Sequence, residues 1–235
     1  MRLLYAVGDI HGEYDLLLKA LDFVNHSNVG VEKALVFLGD YVDRGPQSRA
    51  VIEELIDLTK DPSVYALLGN HEVMLLAAIT AREQHSPLAN DFRDYAGDPR
   101  NGGWQTMLSY ADSDEPGAIY GAQVPQAHID WIRARPLALC FPHHLCVHAG
   151  IRPGVPLEEQ AEDDLLWIRN EFLLYQKPHP LHIIHGHTVR KEPDLQDNRT
   201  GLDVGAPFFG RLAIGVFDID QPGGPLEVEV VAREC

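Results

Sequence analysis

An α/β fold built from parallel strand–helix–strand units is what the sequence predicts, on three observations. Short apolar runs end one after another in Gly-Asp or Gly-Asn: Leu3–Val7 before Gly8-Asp9, Ala34–Leu38 before Gly39-Asp40, and Val64–Leu68 before Gly69-Asn70. Amphipathic stretches separate successive runs. The spacing is regular: Asp9 to Asp40 is 31 residues and Asp40 to Asn70 is 30, the length of a parallel crossover unit.

The elements follow in order. Leu16, Leu17, Ala20, Leu21 and Val24 recur at helical spacing and mark the first helix. A second helix is expected from about Ser48 to Leu58, with Ser48 as its N-cap. A third starts near Glu72. The rhythm is then lost between 83 and 124, where Pro87, Pro99, Gly102-Gly103, Pro116 and Gly117 punctuate the chain; one short helix is expected from Trp104 to Tyr110. Pro125 to Ala134 reads as a helix, and Leu137–Phe141 and Leu145–Val147 as strands joined by a turn at Pro142-His143-His144. Residues 152–180 form a second mixed segment, with a helix around Asp163 to Tyr175. Strands return at His182–Ile184, Leu212–Phe217 and Leu226–Val231. The expectation is one domain over 1–235, carrying insertions near 83–124 and 152–180.

Composition narrows the function classes. The chain has 235 residues, 45% hydrophobic and 23% charged, as an ordinary folded domain does. Nineteen basic against 35 acidic residues give a formal charge of −16. That excludes a general nucleic-acid binder, which needs surplus Lys and Arg, and a protein held on anionic lipid. No apolar run approaches the ~18 residues needed to span a bilayer. The first residues lack a secretory-signal pattern. Cys140, Cys146 and Cys235 are odd in number and have no Cys-x-x-Cys spacing. A reducing cytoplasm is the expected location, with Cys140 and Cys146 packed as small apolar side chains.

The chemistry collects at strand ends. Five apolar runs finish in polar signatures: Gly8-Asp9-Ile10-His11-Gly12, Gly39-Asp40-Tyr41-Val42-Asp43-Arg44-Gly45, Gly69-Asn70-His71-Glu72, His148-Ala149-Gly150 and Gly186-His187-Thr188. In open α/β sheets the site lies beyond the carboxyl ends of the strands, so the five can converge. Asp9, His11, Asp40, Asn70, His148 and His187 are oxygen and nitrogen donors with no thiolate. Six such groups exceed the needs of one catalytic ion, which keeps open positions, and suit two ions about 3.5–4 Å apart. Two divalent cations against two Asp leave the site positive, which favours an anionic substrate such as a phosphate.

These motifs resemble the phosphoprotein phosphatase branch of the calcineurin-like metallophosphoesterases. The family pattern runs Gly-Asp-x-His-Gly, Gly-Asp-x-Val-Asp-Arg-Gly, Gly-Asn-His-Glu, His-Ala/Gly-Gly and Gly-His, and the likeness spans Leu3 to about Phe217. Trp167-Ile168-Arg169-Asn170 and Leu202-Asp203-Val204-Gly205-Ala206 also look like the bacterial and phage serine/threonine protein phosphatases. The resemblance implies two facing mixed β-sheets flanked by helices. It implies that Asp9, His11 and Asp40 hold one metal, that Asp40 bridges, and that Asn70, His148 and His187 complete the second. Mn2+ is the favoured ion, with Fe or Zn also compatible. His71 corresponds to the general acid, Asp43 to the carboxylate supporting it, and Arg44 and Arg169 to the arginines gripping phosphate. Arg44 pairing with Asp43 is the simpler alternative for that residue. Glu72, at a helix start, is read as structural through the helix dipole. The implied reaction is in-line attack on phosphorus by a hydroxide held between the two metals.

Three readings of the substrate follow. The first is a serine/threonine protein phosphatase acting on a phosphorylated protein or peptide. The second is a symmetrical diadenosine tetraphosphate hydrolase acting on a dinucleotide. Gly69-Asn70-His71-Glu72 leans to the first, because the tetraphosphatases commonly have Asp at the last place, and the 39-residue gap from His148 to His187 is short for them. His148-Ala149-Gly150-Ile151 is shared with them. The third, an inactive phosphatase-like binding module, predicts a missing ligand or a missing His71, and none is missing.

Overall fold

The computed structural model describes residues 1–83, 95–113 and 118–234. Two five-stranded sheets form its centre. In the first, β1 (Leu3–Val7), β2 (Lys33–Phe37) and β3 (Val64–Ala66) run parallel. β9 (Arg211–Asp218) pairs antiparallel with β1, and β10 (Glu227–Ala232) with β9. The crossover helices are α1 (Tyr14–His26) and α2 (Ser48–Leu58); α3 (Asn70–Glu83) leaves the end of the third unit. In the second sheet β5 (His144–Val147), β6 (His182–His185) and β8 (Arg199–Gly201) run parallel. β4 (Ala138–Cys140) and β7 (Asp194–Leu195) close its edges antiparallel.

The alternation of side chains along β1 explains the layering. Leu3, Tyr5 and Val7 face one way, into a core with Leu16, Leu17, Ala20 and Val24 of α1 and Val51, Ile52 and Leu55 of α2. Leu4 and Ala6 face the other way, with Val36, Leu38 and Leu67, and meet Cys146 and Ile184 from the second sheet and Leu202 just beyond β8. The far face of that sheet, Leu145, Val147 and Ile183, packs on Ile168, Phe172 and Leu173. The order is therefore helices, sheet, sheet, helices. β1 is buried on both faces, which is why it reads as a continuous apolar run. Among the described residues no helix is long and apolar enough to cross a membrane.

Several expectations change. Ser48 is the first residue of α2, and Gln47 occupies the N-cap without a side-chain cap bond. The Ser48 hydroxyl instead accepts the Asp43 N–H at 3.2 Å and meets Thr106 Oγ1 at 3.1 Å. The helix expected over 163–175 is two short ones, α6 (Glu162–Trp167) and α7 (Asn170–Leu173), interrupted at Ile168-Arg169. The backbone at Arg169 (φ −131°, ψ −95°) lies far from helical values, so periodicity alone joined two pieces that the chain separates. β7 and β8 were not anticipated: Arg199-Thr200-Gly201 is short and polar, yet fully buried. Cys146 is buried as expected, but Cys140 is exposed. Of the 83–124 segment, 84–94 and 114–117 lie outside the described residues. The remainder includes Tyr95 and α4 (Gly103–Ser109), followed beyond it by α5 (Gln126–Arg133).

Candidate active site

Sharp turns follow the strand ends and bring the five signatures together. His11, Asp40, Asp43, Arg44 and His187 all have positive φ, at 49°, 53°, 72°, 69° and 62°. Left-handed backbone at residues carrying a Cβ costs on the order of 1–3 kcal/mol each, so neighbouring bonds must hold it. Glu72 does much of this. Its Oε2 accepts the N–H groups of Asp40 (2.9 Å) and Gly69 (3.0 Å), and its Oε1 those of Tyr41 (2.8 Å) and Val42 (3.2 Å). Glu72 is thus structural, but through the turn that presents Asp40 rather than through the dipole of α3. Gly186 has a similar positional reason: a Cβ there would overlap Asp9 Oδ1.

Five of the six proposed metal donors, His11, Asp40, Asn70, His148 and His187, come together, and His71 joins them. Two triads have ligand atoms all within 4.8 Å of one another: His11, Asp40 and His71, and Asp40, His148 and His187. Asp40 is common to both and offers one oxygen to each. Its Oδ2 lies 3.5 Å from His11 Nε2 and 3.9 Å from His71 Nε2, while Oδ1 lies 3.3 Å from His148 Nε2. Asn70 Oδ1 sits 2.8 Å from His148 Nε2 and 2.9 Å from His187 Nδ1. Asp9 belongs to neither triad; its carboxylate accepts the His187 N–H, at 3.2 and 2.9 Å to its two oxygens.

The donor set fits divalent cations. His11 Nδ1 donates to the Val42 carbonyl (2.8 Å) and His148 Nδ1 to the Leu38 carbonyl (2.9 Å), which turns both Nε2 lone pairs toward Asp40. Burial holds His11, His148 and His187 below their ordinary pKa, the last at about 2, so all three rings are neutral and offer lone pairs. Burial opposes ionisation of Asp40, yet His148, His71, His11 and His187 outweigh it and hold its carboxyl well below the usual range. Asp9 is pushed well up by burial, with Asp203 and Asp40 nearby. Neutral imidazole lone pairs and buried carboxylates facing one centre is an arrangement that cations stabilise.

His71 and Asp43 form a pair at the edge of this cluster. His71 Nδ1 is 2.6 Å from Asp43 Oδ2. Burial alone would lower the His71 pKa, but Asp40 and Asp43 prevail and raise it. The other Asp43 oxygen accepts hydroxyls from Thr106 (2.7 Å) and Tyr95. Arg44 does not pair with Asp43 in these contacts. Its Nη1 reaches His11 Nε2, and its guanidinium lies 5.4 Å from the centre of the Phe208 ring. Gly102 closes on it from the 83–124 segment: its carbonyl accepts the Arg44 N–H at 3.1 Å, and a Cβ at Gly102 (φ 81°) would strike the Arg44 backbone. Arg169 donates to Thr188 Oγ1 at 3.2 Å, beside His187, and its charge helps lower the His148 and His187 pKa values.

This geometry can be set against known proteins. Residues 3–209 match the calcineurin-like phosphoesterase family. The chain belongs to that family. A "Bis(5'-nucleosyl)-tetraphosphatase, symmetrical" of Janthinobacterium sp. (strain Marseille) is 34% identical over 153 residues, 63% of this chain and 44% of that protein. One of the same name from Legionella pneumophila subsp. pneumophila (strain Philadelphia 1) is 28% identical over 230 residues, 93% of this chain and 71% of that protein. The chain spans a little under half the length of the first of these relatives. Among solved structures, one described as a putative diadenosine tetraphosphatase superposes with a TM-score of 0.69 at 22% identity, covering 98% of this chain and 93% of that one. A serine/threonine phosphatase from Saccharomyces cerevisiae superposes at 0.57 and 16% identity, covering 99% and 80%. These two likenesses show the calcineurin-like fold. The relatives by sequence bear the name of the second substrate reading, not the first.

Three groups in this calcineurin-like site escaped the sequence reading. Tyr95 and Thr106 lie 52 and 63 residues from the Asp43 they serve, in a segment without periodicity. Asp203 is buried, accepts the Gly205 N–H at 3.0 Å through Oδ1, and has an Oδ2 without a hydrogen-bond partner among the described residues. Burial raises its pKa to about 6. The Leu202–Ala206 motif was the signal that could have marked it.

Proposed function

We propose that this chain is a metal-dependent hydrolase that cleaves bis(5'-nucleosyl) tetraphosphates symmetrically, yielding two nucleoside diphosphates. The observation that carries the reading is the pair of triads sharing Asp40, with Arg44 and Arg169 beside them, in a chain whose sequence relatives are tetraphosphatases. Asp9, His11 and Asp40 would hold one divalent ion and Asp40, Asn70, His148 and His187 the other. When bound, such ions lower the pKa of water and neutralise charge on phosphoryl oxygens. The planar guanidinium groups of Arg44 and Arg169 bind phosphate oxygens through paired donors. His71 holds a proton at Nε2 for the leaving oxygen, and Asp43 fixes the ring through Nδ1. Glu72, one of the two features that favoured a protein phosphatase, has both oxygens taken up by backbone N–H groups, a structural task that is independent of the substrate.

The test is kcat/KM measured side by side on diadenosine tetraphosphate, a phosphoserine peptide and a phosphotyrosine peptide, with Mn2+ supplied. The expected result is a preference for the dinucleotide, with ADP the sole nucleotide product. A preference for either peptide, or release of ATP and AMP, overturns the reading.

A further inference from the structure

Two large aromatic side chains beside the site are left exposed: Trp167 at 43% and Phe208 at 58% of their possible surface. Among the described residues most large apolar side chains are buried, so exposed rings next to a polar site point to a ligand surface. Their placement is specific. Trp167 ends α6, two residues before Arg169, and its ring stands perpendicular (88°) to that of His187 at 6.1 Å. Phe208 lies in α8 (Ala206–Phe209), and its ring lies 5.4 Å from the Arg44 guanidinium carbon. Arg44 in turn contacts His11. One exposed ring therefore adjoins the triad containing His187, and another adjoins the arginine next to the triad containing His11.

We propose that Trp167 and Phe208 are nucleobase platforms, one for each half of a dinucleoside polyphosphate. The proposal rests on the function proposed above and names how its substrate is selected. A polyphosphate cut at its middle bond extends an equal half, ending in a planar base, in each direction from the reacting phosphorus. The two arginines face the anionic chain, and beside each stands an aromatic face of the kind on which any base stacks. A ring beside His187 and a second beside Arg44 give each half of the substrate its own aromatic face, which favours two equal halves over a long and a short one.

The experiment is calorimetric binding of ADP and of inorganic pyrophosphate to the Mn2+-loaded protein and its variants. The parent is expected to bind ADP more tightly than pyrophosphate. Trp167→Leu and Phe208→Leu, which keep apolar bulk but remove the π face, should each weaken ADP by about 5- to 150-fold, the range of one base stack, and leave pyrophosphate within about twofold. Trp167→Phe and Phe208→Tyr should retain ADP binding. Equal weakening of ADP and pyrophosphate would mean the rings only support His187 and Arg44, and would overturn the proposal. So would a parent that binds the two alike. If diadenosine tetraphosphate is not turned over but the ring-dependent preference for ADP is present, the proposed reaction fails and the platforms stand.

Discussion

Replacing Glu72 by Gln exchanges one carboxylate oxygen for an NH2 group while keeping size and shape. Each oxygen accepts two backbone N–H groups from the turns at Gly69 and Asp40–Val42, so the amide would face two donors with a third. Leaving a buried N–H donor unsatisfied costs about 1–3 kcal/mol, which puts the loss for two at about 2–6 kcal/mol. That is a large part of the ~5–15 kcal/mol that holds a typical domain folded. The same turn holds Asp40 in positive φ, so Mn2+ stoichiometry should fall as well. Urea unfolding with and without chelator, with the slope compared to the parent, measures the stability term, and metal analysis the second. A loss under about 1 kcal/mol together with full metal content would refute the reasoning.

Asp40→Asn should lower the content of both metal ions and reduce the rate more than Asp9→Asn does, because Asp40 presents an oxygen to each triad and Asp9 to neither; metal analysis alongside kcat decides, and two retained ions with near-normal kcat count against the bridge. His71→Asn should slow hydrolysis of a poor leaving group, such as a phosphoserine peptide, on the order of 10²-fold more than that of p-nitrophenyl phosphate, since acid catalysis is worth about 10²–10⁴. Tyr95→Phe and Thr106→Val should show the same bias in weaker form, because each removes a donor from Asp43 without touching His71; equal slowing on both substrates would leave Tyr95 and Thr106 as packing residues.

The first three strands and their helices were legible because their signals are local. A run such as Leu3–Val7 is buried on both faces wherever it pairs, and Gly-Asp at its end forces a turn whatever lies opposite. The candidate metal donors were legible for the same reason: each sits at the end of such a run. Helix boundaries within 152–180 were not, because a break at Ile168-Arg169 leaves the apolar spacing intact on both sides. β8 escaped because its burial comes from neighbouring β6 and β7, not from its own residues Arg199-Thr200-Gly201.

What the sequence by itself determined is the inventory: an α/β chain with Asp, His, Asn and Arg at successive strand ends. Only the tertiary structure decided how those groups are used. It divides the Asp40 oxygens between two triads, seats Asp9 on the backbone of a His187 that lies 178 residues away, and gives Asp43 its hydroxyl donors from a segment with no pattern. It also turns Glu72 from a helix-start acid into the acceptor that holds the Asp40 turn. The physical reason is range. Backbone propensity and apolar periodicity act over a few residues and are written in local order, whereas hydrogen bonds and buried charges are satisfied by whichever groups packing brings within about 3 Å.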